Sequence, residues 1–202
     1  KLLSGFIGYP NINKKKIDLA YKSFPSHWAI SLSGEPTLYP KLAEFILEIK
    51  KRDAKTIFLV TNGQNPSALE KLAKEKALPT QLYVSLDAWD PASYKKINKG
   101  MHKDAWKRLI KTLTLLKTLK TRTVIRLTVI NKLNTSKTAI KEFGKLIELA
   151  KPNFLEVKSY MWLGYSRERL KKENMLSDKE LKKFCKVLEP HIPSMKYEDE
   201  NY

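Results

Sequence analysis

Five short segments in which polar and apolar residues alternate constrain the fold of this 202-residue chain more than any other feature. In the first segment, 28–33, alternation places Ser31, Ser33 and the following Glu35 on one face of a strand. A strand that helices cover on both faces is apolar throughout. Hydroxyl groups and a carboxylate on one face therefore indicate that this face borders a polar cavity.

Four later segments repeat the pattern, with polar residues on one strand face or at the strand end. These residues are Thr61 and Asn62; Tyr83, Ser85 and Asp87; Arg126 and Thr128; and Glu156, Lys158 and Tyr160. A single polar face is compatible with a sheet that faces solvent. Polar faces that recur between helical segments instead favour the inside of an open β/α barrel.

Helical patterns separate the strand-like segments. We predict strands near 28–33, 56–62, 81–87, 123–130 and 154–160, and helices near 13–23, 41–52, 66–76, 91–98, 103–120, 135–151 and 177–189. Strands that alternate with helices pair in parallel through right-handed crossovers. Because five strands are too few to close a full β/α barrel, the sequence predicts an α/β fold with a partial, open-sided barrel.

We expect one domain over residues 1–202. It consists of a lead-in loop and helix (1–27), the barrel strands and helices (28–165), and a C-terminal helix and tail (166–202). The opening loop begins like the middle of a protein, and the tail resembles a loop that enters a further strand. Both ends are therefore expected to be cut, with the barrel incomplete at its N-terminus.

The charge of the chain restricts its partners. The 39 Lys and Arg residues outnumber the 21 Asp and Glu residues, which gives a net charge of +18. Such an excess favours a polyanion such as nucleic acid, because each neutralised phosphate releases counterions. A lysine-rich, solvated surface is the alternative explanation.

The single cysteine, Cys185, excludes an internal disulfide and fits a reducing cytoplasm. His27, His102 and His191 are too scattered to predict a metal site. No apolar stretch approaches the roughly 18 residues of a membrane span. Since no feature indicates an obligate dimer, we expect a cytoplasmic monomer that does not contact membranes.

In parallel β/α folds, binding sites form at the carboxyl ends of the strands. The residues predicted there are Gly34, Glu35, Thr61, Asn62, Ser85, Asp87, Asn131 and the loop 160–166, with Arg126 inside the barrel. Carboxylates accept hydrogen bonds from amines and hydroxyls, a guanidinium holds a carboxylate, and an asparagine can bond a ribose. The set suits a small polar ligand with amine, carboxylate and ribose groups.

Several of these residues also have a structural explanation. Glu35 could only cap the helix that follows Pro36, and Arg126 and Glu156 could form an ion pair inside the barrel. Lys158 lies in mid-strand, where a buried lysine needs a partner or a function. Trp162, in the loop after the last strand, could pack, or could stack on an adenine or another base.

These residues match a known pattern. Ser33-Gly34-Glu35-Pro36 resembles the glycine–glutamate motif of radical S-adenosylmethionine (SAM) enzymes, whose core is a partial six-stranded β/α barrel. The chain is more specifically similar to the archaeal type of the tRNA wybutosine-synthesis enzyme 4-demethylwyosine synthase. The similar stretches follow the family's order through nearly the whole chain: 30–40, 79–88, 156–160 and 164–175.

The resemblance implies a partial (β/α)6 barrel of the radical SAM type and a lyase chemistry. In that chemistry a [4Fe–4S] cluster reduces SAM to a 5′-deoxyadenosyl radical, which activates the methyl group of N1-methylguanosine beside the anticodon of tRNA-Phe. Two carbons of pyruvate then condense to close the tricyclic base of 4-demethylwyosine. The electron donor is not identified by the resemblance. The basic surface would meet the anticodon stem-loop, whose target base must be exposed.

The resemblance also implies roles for matching positions. Ser33, Gly34 and Glu35 would contact the amino and carboxylate groups of SAM, and Thr61 and Asn62 would line the same pocket. The remaining assignments are Ser85 and Asp87 facing the ribose, Arg126 and Asn131 near the carboxylate or ribose, and Lys158 and Tyr160 as catalytic candidates over the adenine or the substrate base.

One feature departs from the family pattern. The family's clusters are held by a Cys-x-x-x-Cys-x-x-Cys loop before the Ser-Gly-Glu-Pro strand and by cysteines further upstream, and none of these is present. Cysteine thiolates are the usual ligands of such clusters. We therefore expect the segment to begin after those cysteines, with the cluster ligands upstream of it.

Two other functions compete with this one. A lysine-dependent aldolase would form a Schiff base between Lys158 and a keto acid inside the barrel. A non-catalytic RNA-binding module is supported directly only by the net charge. The several motifs matched at neighbouring strand ends favour the radical SAM enzyme over both.

Overall fold

The computed structural model describes residue 5, residues 8–31 and residues 34–198. Its sheet contains five strands: β1 (His27–Ile30), β2 (Thr56–Thr61), β3 (Gln81–Leu86), β4 (Arg122–Val129) and β5 (Phe154–Ser159). All neighbours pair in parallel in the order β1-β2-β3-β4-β5. The predicted α/β fold with sequential parallel strands is therefore confirmed. Among the described residues the sheet has five strands, where the family resemblance implies six.

In the described part of the chain, seven α-helices connect or flank the strands, one for each predicted helical segment. They are α1 (Lys14–Lys22), α2 (Leu42–Lys51), α3 (Pro66–Lys74), α4 (Pro91–Ile97), α5 (Ala105–Leu116), α6 (Lys137–Ala150) and α7 (Asp178–Leu188). Local capping fixes several starts: Ser177 and Glu180 form a reciprocal capping box at α7, as do Asp90 and Ser93 at α4. Short 3₁₀ turns lie at Pro36–Leu38, Gly164–Glu168, Lys172–Asn174 and Glu189–His191.

The two faces of the sheet differ in burial. One face packs against α2, α3, α5 and α6 through fully buried aliphatic residues, including Ile57, Leu59, Leu82, Leu86 and Leu127. Each such side chain contributes roughly 1.5–3 kcal/mol when removed from water. On the other face, which we call the open face, the side chains of Tyr83, Ser85, Arg126, Thr128 and Glu156 stay partly accessible. The polar strand face predicted from the sequence is thus present, and no helix covers it in the described part of the chain.

The turn after β2 is pressed tightly against α5. Gly63 has φ +73°, and a Cβ atom there would lie 3.1 Å from Cδ1 of Leu109 and 3.3 Å from Cγ1 of Val84. Thr112 of α5 donates a 2.7 Å hydrogen bond to the Gly63 carbonyl. Glycine is required here both by the backbone conformation and by the space, and it fixes where the β2 loop leaves the sheet.

None of the described helices combines the length and the apolar character that crossing a bilayer would demand.

Candidate functional site

The carboxyl ends of the five parallel strands lie at one edge of the sheet, beside the open face. The structure brings ten predicted site residues to this edge, to the open face or to the loops that follow the strands: Gly34, Glu35, Thr61, Asn62, Ser85, Asp87, Arg126, Asn131, Lys158 and Tyr160. Ser33, the eleventh predicted residue, lies outside the described residues. The hydrogen bonds of these ten residues differ. Some side chains are used in structural contacts, whereas others have donors or acceptors that are free to bind a ligand.

Glu35 connects the ends of β1 and β2. Its carboxylate accepts hydrogen bonds from the backbone N–H (3.1 Å) and hydroxyl (2.7 Å) of Thr37, from the Thr61 hydroxyl (2.6 Å) and from the Asn62 N–H (2.8 Å). Oε1 accepts three of these bonds and Oε2 accepts one, so most of the roughly four acceptor sites of the carboxylate are used. Glu35 thus caps the 3₁₀ turn Pro36–Leu38, whereas the following helix α2 begins without a side-chain cap. A ligand contact by the Glu35 carboxylate stays a prediction.

Thr61 and Asn62 differ in accessibility. Thr61 is 2% exposed, and its hydroxyl accepts from the Gly63 N–H at 3.1 Å while donating to Glu35. Asn62 is exposed, with Oδ1 accepting from the Gln64 N–H at 3.0 Å. Thr61 therefore orders the loop, whereas the Asn62 side chain can reach a ligand at the edge.

Asp87 is the most unusual group at the edge. Its Oδ2 accepts from Nδ2 of Asn98 at 3.2 Å, while its Oδ1 is buried and has no hydrogen-bond partner among the described residues. Burial raises the pKa of this carboxyl, and Thr128, Asn98 and the positive charge of Lys158 act in the opposite direction. A buried carboxylate oxygen without a donor is costly, and Oδ1 of Asp87 can therefore accept a hydrogen bond from a ligand hydroxyl or amine.

A second buried group lies behind Asp87. Tyr94 of α4 is 5% exposed, and burial raises its pKa, with the negative charge of Asp87 adding to the effect. Gln64 donates from Nε2 to the Ala105 carbonyl at 3.1 Å, and its buried Oε1 has no partner among the described residues. The Oδ1 atom of Asn98 is also buried without a hydrogen-bond partner among the described residues.

Sequence reasoning missed Gln64, Tyr94 and Asn98. Gln64 lies two residues after Asn62, so its closeness in the chain to this predicted site residue is the available signal. Tyr94 lies on α4 and Asn98 is its C-cap. The sequence of α4 does not indicate that the C-terminal end of this helix lies next to Asp87. Only the packing of α4 against the sheet edge brings them there.

The Arg126–Glu156 ion pair considered from the sequence is present on the open face. Nε and Nη2 of Arg126 both lie 3.1 Å from Oε2 of Glu156, and the guanidinium carbon is 4.8 Å from the ring centroid of Tyr83. The two side chains are 26% and 41% exposed, so the pair adds at most about 1 kcal/mol to stability. A guanidinium has five N–H donors, which leaves Arg126 with donors for a ligand carboxylate.

Lys158 is exposed rather than buried, so the expectation of a buried mid-strand lysine is wrong. The reason is that β5 is the edge strand of the described sheet, and its open face carries no covering layer. Lys158 pairs in register with Thr128, and its charge acts on Asp87. Its amine therefore faces the same space as the carboxylate.

Tyr160 and Asn131 both hold the segment that follows β5. Tyr160 is 7% exposed and donates from its hydroxyl to Oγ of Ser166 at 2.8 Å. Asn131 donates from its backbone N–H to the Asn174 carbonyl at 2.9 Å and from Nδ2 to the Glu173 carbonyl at 3.2 Å. These contacts are structural, and the catalytic role of Tyr160 and the ligand role of Asn131 stay predictions.

The residues present do not fit an iron–sulfur cluster. The chain has a single cysteine, Cys185, which lies half-buried on α7. Across residues 8–31 and 34–198, no three His, Cys, Asp or Glu side chains converge as metal ligands. The edge does fit a ligand with cationic and hydroxyl groups, because the unpartnered Oδ1 of Asp87 can accept a hydrogen bond there.

Two family models match the chain. The radical SAM superfamily model matches residues 14–143, and a model described as wyosine base formation matches residues 149–201. Among curated proteins, the chain is 45% identical over 200 residues to the SAM-dependent tRNA 4-demethylwyosine synthase of Pyrococcus horikoshii, covering 99% of this chain and 57% of that protein. The fission yeast Schizosaccharomyces pombe protein of the same name is 38% identical over 167 residues, covering 82% and 23%.

Solved structures agree with these matches. A structure of TYW1 with a lysine–pyruvate adduct bound superposes with a TM-score of 0.80 at 42% identity, covering 94% of this chain and 58% of that one. A domain of pyruvate-formate lyase-activating enzyme from Bacteroides vulgatus reaches a TM-score of 0.60 at 12% identity, covering 83% and 95%. The second likeness shows the fold alone.

The chain spans little more than half the length of the archaeal relatives it matches. The resemblance to radical SAM enzymes and to archaeal 4-demethylwyosine synthases, stated from the sequence motifs, is confirmed by these matches. Because the superfamily model covers well over half of its residues, the chain belongs to the radical SAM superfamily.

Proposed function

We propose that this protein is the barrel portion of an enzyme that condenses N1-methylguanosine of tRNA-Phe with pyruvate to give 4-demethylwyosine, in wybutosine and wyosine biosynthesis. The observation that carries the proposal is the 45% identity to two Pyrococcus synthases over 200 residues. That identity runs through both the superfamily segment and the wyosine base formation segment. A chain that shared only the radical SAM fold would match the first segment without the second.

SAM is the cofactor we assign to the carboxyl edge of the sheet. Its ribose hydroxyls would meet Asp87 and Ser85, and its carboxylate would meet the spare donors of Arg126, with Asn131 beside it. Its amino group would lie near the Ser33–Glu35 turn, Thr61 and Asn62. The unpartnered Oδ1 of Asp87 supports this placement, since a hydroxyl donor would satisfy it.

When bound beside a reduced [4Fe–4S] cluster, SAM supplies the radical chemistry of the superfamily. The thiolates for such a cluster are not among these 202 residues, which contain one cysteine. The present residues therefore bind and orient SAM and substrate, and we derive no electron-transfer step from them.

Lys158 is the lysine we propose as a catalytic candidate for pyruvate, with Tyr160, two residues further along the chain, as the second catalytic candidate. The related TYW1 structure holds a lysine–pyruvate adduct. Lys158 is the only lysine within a strand among the described residues, and its exposed amine lies on the open face near Asp87. Attack of the amine on the keto carbon, followed by loss of water, would give an imine.

A tRNA substrate is supported by the net charge of +18. We further infer that the protein acts in the cytoplasm as a monomer. Light scattering on the purified protein measures its molar mass in solution and so tests the monomeric state directly.

The test uses the natural reading frame that contains this chain, reconstituted anaerobically with iron and sulfide. The protein is incubated with SAM, a reductant, pyruvate and tRNA bearing N1-methylguanosine, and nucleosides and 5′-deoxyadenosine are analysed by mass spectrometry. Pyruvate-dependent 4-demethylwyosine supports the proposal. If 5′-deoxyadenosine forms without the tricyclic base, the substrate assignment fails. If cluster-loaded protein gives neither product, the enzyme assignment fails and an RNA-binding module becomes the better explanation.

A further inference from the structure

The loop that follows β5, residues 161–172, exposes large apolar side chains, and we call it the β5 loop. Tyr165 is 88% exposed, Met161 and Leu163 are each 61% exposed, and Trp162 is 39% exposed. Isolated exposed apolar residues are ordinary, but four within five positions form a patch of the kind that marks an interaction site.

Hydrogen bonds fix the conformation of the β5 loop. Trp162 donates from Nε1 to the Leu170 carbonyl at 3.0 Å, which closes the loop on itself. Arg169 donates from Nη1 to the Ile97 carbonyl at 3.3 Å, which ties the loop to the last residue of α4. The aromatic side chains are therefore presented on an ordered backbone, which lowers the entropic cost of binding a partner.

Basic residues surround these aromatic side chains. Residues 95–103 and 161–172 together hold eight lysines and arginines against one glutamate. All eight side chains are exposed: Lys95, Lys96, Lys99, Lys103, Arg167, Arg169, Lys171 and Lys172. Exposed aromatic rings interleaved with cations are the chemistry that binds single-stranded nucleic acid, through stacking on bases and contacts to phosphates.

The patch borders the candidate site. Asn98, which contacts Asp87, is followed directly by Lys99 at the end of α4. The β5 loop also lies within residues 149–201, the segment matched by the wyosine base formation model, and beyond residue 143, where the superfamily match ends. A substrate-specific surface is expected in the part of the chain that the whole superfamily does not share.

We propose that the β5 loop and residues 95–103, which run from the last turn of α4 into the following loop, hold the unpaired nucleotides of the RNA substrate, with Tyr165 and Trp162 stacking on bases. The lysines and arginines of both segments contact the flanking phosphates. This inference rests on the proposed function, which supplies an RNA substrate, and it goes further by assigning the surface that binds it.

The test measures the affinity of the cluster-loaded protein for a fluorescent anticodon stem-loop carrying N1-methylguanosine. Tyr165→Ala is the principal variant, because a side chain that is 88% exposed can be removed without unfolding the chain. Tyr165→Phe keeps the ring and is a conservative control. Tyr21→Ala removes a 53% exposed tyrosine from α1 and controls for the loss of any surface ring.

We expect Tyr165→Ala to weaken RNA binding roughly 5- to 100-fold, while Tyr165→Phe and Tyr21→Ala bind like the wild type. Lys96→Ala is expected to lower the slope of log affinity against log salt by about 0.7 if it removes one phosphate contact. Unchanged affinity in both Tyr165→Ala and Lys96→Ala would overturn the inference.

The two proposals fail in different ways. Wild-type protein that binds the stem-loop through Tyr165 but forms no 4-demethylwyosine would overturn the proposed function and support the RNA surface. Protein that forms the product while Tyr165→Ala and Lys96→Ala both bind RNA normally would support the function and overturn the surface. Binding to anionic lipid vesicles in preference to the stem-loop would also overturn the RNA surface.

Discussion

Asn98 donates a hydrogen bond from Nδ2 to Oδ2 of Asp87 over 3.2 Å, and it orients a carboxylate whose other oxygen lacks a partner among the described residues. Asn98 also ends α4, with its backbone N–H bonded to the Tyr94 carbonyl. One residue therefore stops the helix and aims the Asp87 side chain. We regard Asn98 as a positioning residue for the proposed SAM site.

Replacing Asp87 tests the ribose contact. Asp87→Ala is expected to weaken SAM binding about 10- to 100-fold, because a hydrogen bond to a charged group contributes about 1.5–3 kcal/mol. Equilibrium dialysis with labelled SAM on the cluster-loaded protein measures the change. Affinity for the RNA stem-loop should not change, and Asp18→Asn, an exposed residue on α1, should leave SAM binding as it was. Unchanged SAM affinity in Asp87→Ala removes Asp87 from the site.

The pH dependence of SAM binding tests Asn98. Burial raises the pKa of Asp87 above its ordinary value of 3.8, and the Asn98 hydrogen bond lowers it. Asn98→Ala should therefore raise this pKa further, so that SAM affinity is lost on acidification at a higher pH than in the wild type. A merely structural role for Asn98 predicts lower affinity at every pH with no shift of the midpoint. Asn98→Gln, which keeps an amide donor, should restore part of the wild-type profile.

The raised pKa of Asp87 also makes the stability of the folded protein depend on pH. A carboxyl whose pKa is raised in the folded state favours folding while it is protonated. The contribution of Asp87 is thus present below its ordinary pKa of 3.8 and is lost as the pH rises through the raised value. Asp87→Asn should remove this dependence, which urea denaturation across pH 4 to 7 can follow, since Asn stays neutral. A wild-type curve that rises instead relative to the variant would contradict the burial of Asp87.

At this edge of the sheet, features set by local sequence patterns can be predicted, whereas contacts between residues distant in the chain, such as those of Glu35, cannot. The Gly-Glu-Pro turn, the alternation of the strands and the capping boxes are local patterns, so the strands, the helices and the polar face follow from them. The Arg126–Glu156 pair also follows once β4 and β5 are placed in parallel. The hydrogen bonds that Glu35 accepts from Thr61 and Asn62 depend on a loop 26 residues or more away, which no local pattern encodes.

Tertiary packing decided the other differences. The mid-strand position of Lys158 predicts a buried lysine, yet β5 is an edge strand in the described sheet and the lysine is exposed. The alternation also places Tyr160 on the polar face of β5, and the structure shows that its ring is buried and that its hydroxyl donates to Ser166. Its catalytic role, which the resemblance implies, stays a prediction. Alternation specifies the face of a strand, and the neighbouring elements then decide whether that face is covered.

Glu35→Gln tests the connection between β1 and β2. Four donors converge on the carboxylate, and an amide presents N–H groups to some of them, so the free energy of unfolding should fall by about 1–3 kcal/mol. Urea denaturation monitored by circular dichroism measures this loss. Glu44→Gln, at an exposed position of α2, is the matched control and should change stability by less than about 0.5 kcal/mol. Equal stability in the two variants would mean that the Glu35 network does not hold the loop.

Gly144→Ala tests the packing of the C-terminal segment on α6. A Cβ atom at Gly144 would lie 2.5 Å from Cβ and 2.6 Å from the carbonyl oxygen of His191, and a backbone atom cannot move aside as a flexible side chain can. The overlap should destabilise the protein by about 1–3 kcal/mol, although alanine in a helix otherwise gains about 1 kcal/mol over glycine. Gly5→Ala, with no atom of the described residues within 4 Å of the added Cβ, should be neutral. A more stable Gly144→Ala variant would show that the 189–191 turn does not pack there.

Chemical trapping tests Lys158. Treatment with pyruvate and borohydride should reduce an imine at the Lys158 amine to a stable secondary amine, which peptide mass spectrometry locates. Lys158→Arg keeps the charge that acts on Asp87 but cannot form the imine, so trapping at this position and product formation should both be lost while SAM affinity stays near the wild-type value. Lys55→Arg, at an exposed position just before β2, is the matched control and should leave both unchanged. Trapping at Lys158 without any need for SAM in the overall reaction would favour the aldolase, because only the radical enzyme consumes SAM. If borohydride labels another lysine and Lys158→Arg still forms 4-demethylwyosine, the carbonyl chemistry belongs to that other residue, and Lys158 acts only through its charge.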